Sequence, residues 1–363
     1  MAGLGIAGVV AAALGSICLT SGCSSIGYLA QSAGGHLSLL TAAKPVAEWE
    51  QDTGTPAALK ERLALSQRMR DFAVSELALP DNRSYRAYAD LKRPAAVWNV
   101  AAAPELSLTL KTWCFPVVGC VGYRGYFDQA QAQAEGASLR EQGLEASVFP
   151  VPAYSTLGMS NWLGGDPLLN TFIQWPEGEL ARLIFHELAH QVAYAEGDTT
   201  FNESFATAVE RIGGERWLSQ KATPQAREQY QALDQRRRDF RAFMQIWRDR
   251  LDALYRSELP DADKRSRKAA LMAQMRADYD TMKATRWAGF NGYDAFVSQL
   301  NNASLGMQAA YNELVPAFEA LFQQQGGDFR RFYAEVKRLA ALPKAERDAT
   351  LRASMPAPGG SAG

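Results

Sequence analysis

Between Pro56 and Leu77 the apolar residues return every three or four positions. Leu59, Leu63, Leu65, Met69, Phe72 and Val74 therefore gather near one face of a helix. The pattern changes over about residues 85–172. Short runs rich in Val, Tyr, Trp, Leu and Phe (AAVWNVAAA, LSLTLKTW, GYRGYF, ASVFPVPAYSTLG) alternate with Pro and Gly, which predicts strands and turns, and one helix from Asp128 to Gly143 interrupts them. Beyond Phe201 the helical period returns. Thr223 and Pro224 pair as N-cap and first-turn residue, and Leu233, Phe240, Phe243, Met244, Trp247, Leu251 and Leu254 keep to one stripe. Further helices are expected at 264–285, 304–324 and 328–341, with Gly326 and Gly327 breaking the last two apart. Residues 24–49 predict a weakly amphipathic helix docked on the main body, and the tail 348–363 reads as disordered. The pattern predicts an α+β, helix-rich domain over 23–347. Its small β-sheet, within about 85–172, precedes helices at about 176–217 and a helical part at 223–347.

Composition narrows what such a domain can do. At 363 residues and 47% hydrophobic the chain can bury a full core. Its 38 Lys and Arg nearly balance 39 Asp and Glu, so no global field favours nucleic acid, and function must be sought in a local site. Residues 1–22 carry no charged side chain and end in small residues before Cys23. This resembles a bacterial lipoprotein signal peptide, which implies lipidation of Cys23, a membrane tether and a periplasm-facing location. Ser24 is not the Asp that retains such proteins at the inner membrane, so the outer membrane is expected. The leader departs from the pattern in lacking Lys or Arg and in having Thr20 where Leu is usual; an uncleaved anchor is the alternative. Cys114 and Cys120, six apart around Pro116 and Gly119, suit a small disulfide loop in an oxidising compartment; two buried thiols are the other reading.

Of the three histidines, His186 and His190 share the pentapeptide HELAH. Four apart on a helix, they can aim both imidazoles at one point, and Glu187 lies where it can reach a water on a metal held there without itself being a ligand. The apolar flank of Leu180, Leu183, Ile184, Leu188 and Val192 would bury one face of that helix. Catalytic zinc takes three protein ligands and leaves a fourth position open. Glu203 in FNESFATAVE is the carboxylate best placed to be the third, with twelve residues between His190 and itself and hence a short loop between two close antiparallel helices. Thr200 and Glu203 also spell a capping box, and His36 and Glu210 are rival ligands. Asp198, Asn202 and Thr207 are candidates to orient the imidazoles.

The segment NESFA resembles the N-E-G-F-A segment of gluzincin aminopeptidases and the N-E segment of thermolysin-like proteases, where the Glu is the third zinc ligand. The blocks YLAQSAGGHLSLL, CVGYRGYFD, AYSTLG with DPLLNT, LIFHELAHQ, DTTFNESFAT and LNNASLGMQAAYNELVPAF are similar, in this order, to a bacterial family of predicted aminopeptidases. The resemblance implies a zincin-like fold and a zinc peptidase with one Zn²⁺ on His186, His190 and Glu203, Glu187 as general base, and peptide substrates. A Tyr commonly supplies the second oxyanion donor in gluzincins, and Tyr154 or Tyr311 could fill that role. Gluzincin aminopeptidases recognise the substrate amine through a G-x-M-E-N segment; GMSNW at 158–162 lacks the Glu, leaving Asp166, Glu177 or Glu179 as substitutes. An envelope endopeptidase and a non-catalytic metal-binding lipoprotein are the alternatives.

Overall fold

The computed structural model describes residues 23–115, 119–153, 164–310 and 313–355. Helix α1 (Cys23–Ala42) leads into a short strand β1 (Lys44–Pro45), helix α2 (Val46–Gln51) and α3 (Ala57–Ser75). Gln31 on α1 donates to Gly125 O and accepts from Phe127 N, and Tyr28 Oη accepts from Gly125 N, so α1 is hydrogen-bonded onto the strands that follow. Among the described residues no helix is long and apolar enough to cross a membrane.

The strand region divides into three small sheets rather than the single one expected. The first joins β1, β2 (Ala87–Ala89) and β8 (Leu168–Leu169), with β2 and β8 parallel. The second is β6 (Arg124–Tyr126), β3 (Val97–Pro104) and β7 (Leu144–Val151), all antiparallel. The third is a hairpin of β4 (Trp113–Phe115) and β5 (Gly119–Val121), in which Cys114 stands opposite Cys120 and is joined to it by a disulfide. Strand β3 explains its own composition. Trp98, Val100 and Ala102 pack towards α4 (Gln129–Glu141), whereas Ala101 and Ala103 meet Ala303 and Met307 of α10 (Asn302–Ala310). Small side chains on that second face let a helix approach closely, which a Leu or Phe there would prevent. The run LSLTLKTW contributes only Trp113 to a strand. Strand β7 pairs with the whole of β3 but β6 only with Trp98–Val100; beside the remaining half of β3 this segment makes one backbone bond, Lys111 N to Ala102 O at 2.7 Å, and packs Leu108 and Leu110 against helical neighbours.

The main core lies around α5 (Glu177–Ala189) and α6 (Thr199–Gln220), enclosed by α3, α11 (Val315–Gln324) and α12 (Phe329–Ala340). A second, aromatic core joins α7 (Pro224–Arg256) to α8 (Asp261–Arg286) and α9 (Asp294–Ser298) through Trp247, Tyr279 and Trp287. The single helix expected over 304–324 is two. Pro316 in the first turn of α11 has no N–H and its ring would clash with a preceding helical turn, while Leu314 N bonds Ser204 Oγ instead of a helical carbonyl. Residues 348–353, expected in the disordered tail, belong to α13 (Lys344–Ala353), where Leu351 is fully buried and supplies the apolar anchor for the helix.

Candidate metal centre

Helices α5 and α6 run antiparallel, as three cross-links at successive heights show. Glu203 faces His186 at one end, Glu210 faces Arg182 in the middle, and Trp217 Nε1 donates to Glu177 at the other end. Close approach depends on Gly214, where a Cβ would come within 2.7 Å of Arg182 Cγ. The turn between the helices is closed by Asn202, whose side-chain amide both accepts from Ala195 N and donates to Ala195 O at 2.8 Å. Asp198 caps α6 by accepting from Phe201 N. The N-cap is therefore Asp198 and not Thr200, and Glu203, a turn further in, is released from any capping role.

His186, His190 and Glu203 are all buried, and each aims a ligand atom at one point. Nε2 of His186 and Nε2 of His190 are 3.2 Å apart, and Glu203 Oε2 lies 3.3 Å from the first and 3.6 Å from the second. Glu203 Oε2 has no hydrogen-bond partner among the described residues, a costly state for a buried carboxylate oxygen. Glu210 Oε2 sits 3.0 Å from His186 Nδ1, so a proton is favoured on that nitrogen, and Nε2 is the atom that faces the other two ligand candidates. Arg182 donates to the other oxygen of Glu210 and holds it in place. Glu210, the expected rival ligand, therefore stands behind His186 rather than among the three converging atoms, whereas His190 Nδ1 has no hydrogen-bond partner among the described residues. Asp198 and Asn202, expected to orient the imidazoles, are engaged with backbone and with the C-terminal helix instead.

The electrostatics favour a cation at this point. Burial works against charge on Glu203 and Glu210, yet His190 and His186 for the first, and Arg182 and His186 for the second, hold both carboxyls down at about 2. Burial would lower His186, but Glu203 and Glu210 override it and drive the imidazole well above its ordinary range. Without an ion, Arg182 and a proton on His186 balance the two carboxylates; a metal cation would take the place of that proton. Two imidazoles and a carboxylate are a donor set suited to a divalent transition ion such as zinc, and the residues fit one.

Glu187 is only half-buried, unlike the three ligand candidates, and so faces the accessible side of the group. Burial pushes its carboxyl up, and His186 and His190 draw it back down. Asp166 lies close enough to act on Glu187 electrostatically, as does Glu203. Of the three candidate amine anchors, Glu177 accepts from Trp217 and Glu179 forms a two-pronged pair with Arg237, whereas buried Asp166 is the one whose charge acts on Glu187. His36 is not part of the ligand group, although it senses Asp166.

Tyr154, Tyr311 and GMSNW at 158–162 lie outside the described residues. Three other tyrosines lie near enough to feel the charge of Glu187 or Glu203. Burial raises Tyr123 far above the ordinary phenol range, and the charges of Glu203 and Glu187 add to it; Tyr194 is raised by burial and by Glu203, and Tyr85 by burial and then Glu187. No local pattern marks these residues. Tyr123 follows the disulfide hairpin, whose Gly119 packs so tightly on the α5–α6 turn that a Cβ would stand 2.7 Å from Gly197 N. The φ of +73° at Gly119 likewise suits glycine.

Residues 27–351 match the model of the protein family described as "Putative aminopeptidase". Neither the curated proteins nor the solved structures give a match.

Proposed function

Since the chain belongs to the "Putative aminopeptidase" family, we propose that it is a zinc-dependent peptidase of zincin-like fold, acting as an aminopeptidase on peptides in the bacterial cell envelope. The observation that carries the reading is the buried convergence of His186 Nε2, His190 Nε2 and Glu203 Oε2 beside a more accessible Glu187. In this reading His186, His190 and Glu203 hold one zinc ion, with Glu210 fixing the His186 tautomer and Arg182 fixing Glu210. When bound by these residues, zinc would supply Lewis-acid polarisation of the scissile carbonyl and a lowered pKa for the attacking water. Glu187 takes the proton from the attacking water and returns it to the leaving amine as the tetrahedral centre collapses. A phenol would donate to the developing oxyanion, with Tyr123 the described candidate and Tyr154 and Tyr311 those from the sequence. Asp166 is the carboxylate that would meet a free substrate amine.

The test uses matched tripeptides with free and acetylated amino termini, incubated with zinc-loaded protein. Cleavage of the free series alone is expected; equal cleavage of both would move the activity to the endopeptidases and remove Asp166 from its role.

The same proposal includes residues 1–22 as a lipoprotein signal, lipidation at Cys23 and an outer-membrane, periplasm-facing location. The uncharged leader before Cys23 and a disulfide between Cys114 and Cys120 support it, since such bonds persist in oxidising compartments. Mass analysis of the mature amino-terminal peptide decides: it should begin at an acylated Cys23, and a chain still beginning at Met1 would contradict the signal.

A further inference from the structure

Away from the metal centre, α6, α7, α10 and the start of α11 enclose a cleft of about 510 Å³. Arg241, Met244, Gln245 and Arg248 recur at the i, i+3, i+4, i+7 spacing that puts them along one face of α7, and Arg211 of α6 stands across from them. The acids at the cleft are already spent: Glu313 pairs with Arg352 at 3.0 Å, and Glu319 with Arg211 at 3.4 Å. Among the described residues neither Arg241 nor Arg248 has an acidic partner, and Arg248 Nε is buried with no hydrogen-bond acceptor. Burial, then the like charges of Arg211, Arg182 and Arg237, lower Arg241 to about 10, with Asp234, which pairs with Arg237 and Arg238, a smaller opposing influence, so Arg241 stays cationic at neutral pH. Arg182 and Arg237 are matched by Glu210 and Glu179, which leaves the surplus at this cleft.

A half-buried guanidinium held among other guanidiniums is stabilised by an anion, and Arg presents a fork of donors that matches phosphate oxygens. Two unmatched arginines call for two negative charges. A phosphate monoester dianion supplies them, whereas one carboxylate leaves half the surplus in place. Met244, Leu305 and Pro316 add an apolar wall for an organic portion, in a volume suited to a small ligand. We propose that this cleft is a binding site for a phosphate monoester, gripped by Arg241 and Arg248 with Arg211 at its rim. It shares no residue with the metal centre and does not depend on the peptidase reading.

The probe is inorganic phosphate, titrated calorimetrically into the full chain at constant ionic strength with chloride as the reference anion. Saturable one-site binding is expected, weakened at least about tenfold in the Arg241→Gln/Arg248→Gln double variant and unchanged in Arg338→Gln, whose side chain is exposed elsewhere. Thermal melts of the variants confirm that each is folded. Sedimentation with phosphatidic acid and with phosphatidylcholine vesicles separates the two sources of such a group. Phosphate binding without vesicle capture assigns a soluble ester; capture by phosphatidic acid alone, lost in the double variant, assigns a lipid headgroup. Absence of both, or phosphate binding equal in the wild type and the double variant, overturns the site.

Discussion

Replacing Glu187 by Gln is expected to lower kcat for peptide cleavage by about 10²–10⁴-fold, the range that a positioned general acid–base contributes. The change is nearly isosteric and removes only the proton-accepting oxygen. Glu187 is not among the three converging ligand atoms, so the variant should hold its ion and melt close to the wild-type temperature. That combination separates two accounts of the same cluster. A general base is indispensable to hydrolysis, whereas a structural metal needs none. Steady-state rates at matched metal content provide the readout, and an unchanged kcat in Glu187→Gln would remove the base from the mechanism.

The largest expected loss of stability lies where the C-terminal helix meets the metal-ligand helix. Asp198 uses one carboxylate oxygen to cap α6 and the other to receive Arg347 Nε at 3.1 Å, a terminal nitrogen of Arg347 at 2.7 Å and Lys344 Nζ at 3.0 Å. Asp198 and Arg347 are 3% and 4% exposed, so neither charge can turn to water if the other is lost. Arg347→Ala should therefore cost about 3 kcal/mol or more, the scale for breaking a buried pair from one side. It also strips donors from Ala340 O and Leu342 O. Arg338→Ala, which breaks an exposed pair with Glu335, should cost less than about 1 kcal/mol. Denaturant titration of the two variants gives the contrast; equal effects would mean that the buried pair contributes nothing special. Burial opposes ionisation of Asp198, but Arg347, the Phe201 N–H and Lys344 together lower its pKa. A depressed folded value means that the stabilisation is present above the unfolded Asp range of about 4 and fades as pH falls towards the folded value. Arg347→Ala should flatten that acid limb.

What the sequence disclosed follows from how local each signal is. His186, Glu187 and His190 sit within one helical turn, so period and spacing alone bring them together. Glu203 was found through its neighbours in NESFA, and the helix that carries it was legible from the same stretch. Glu210 could be read as a rival ligand but not as the partner of His186 Nδ1, because that role depends on α6 running antiparallel to α5 and on Arg182 occupying its other oxygen. Sequence marks Asp198 as a candidate to orient an imidazole and Thr200 as the cap; that Asp198 is the cap, with Arg347 on its other oxygen, depends on contacts from distant parts of the chain. Tyr85, Tyr123 and Tyr194 come near the charges of Glu187 or Glu203 through strand and loop packing that leaves no periodic trace. The run LSLTLKTW has strand composition, yet beside β3 it makes a single backbone bond, Lys111 N to Ala102 O, while Leu108 and Leu110 turn to helical neighbours. Residues 348–353 adjoin the small-residue tail, and the single buried Leu351 is too sparse a signal in sequence to mark a docked helix.

The central claim is that His186, His190 and Glu203 together hold one metal ion that peptide cleavage requires. The most direct measurement is zinc content per chain after equilibrium dialysis, for the wild type and for Glu203→Ala, with cleavage assayed on the same samples. One ion per wild-type chain is expected, with strongly reduced occupancy and no cleavage in Glu203→Ala. A wild-type chain that retains no ion, or a Glu203→Ala chain that binds and cleaves as well as the wild type, would contradict the account.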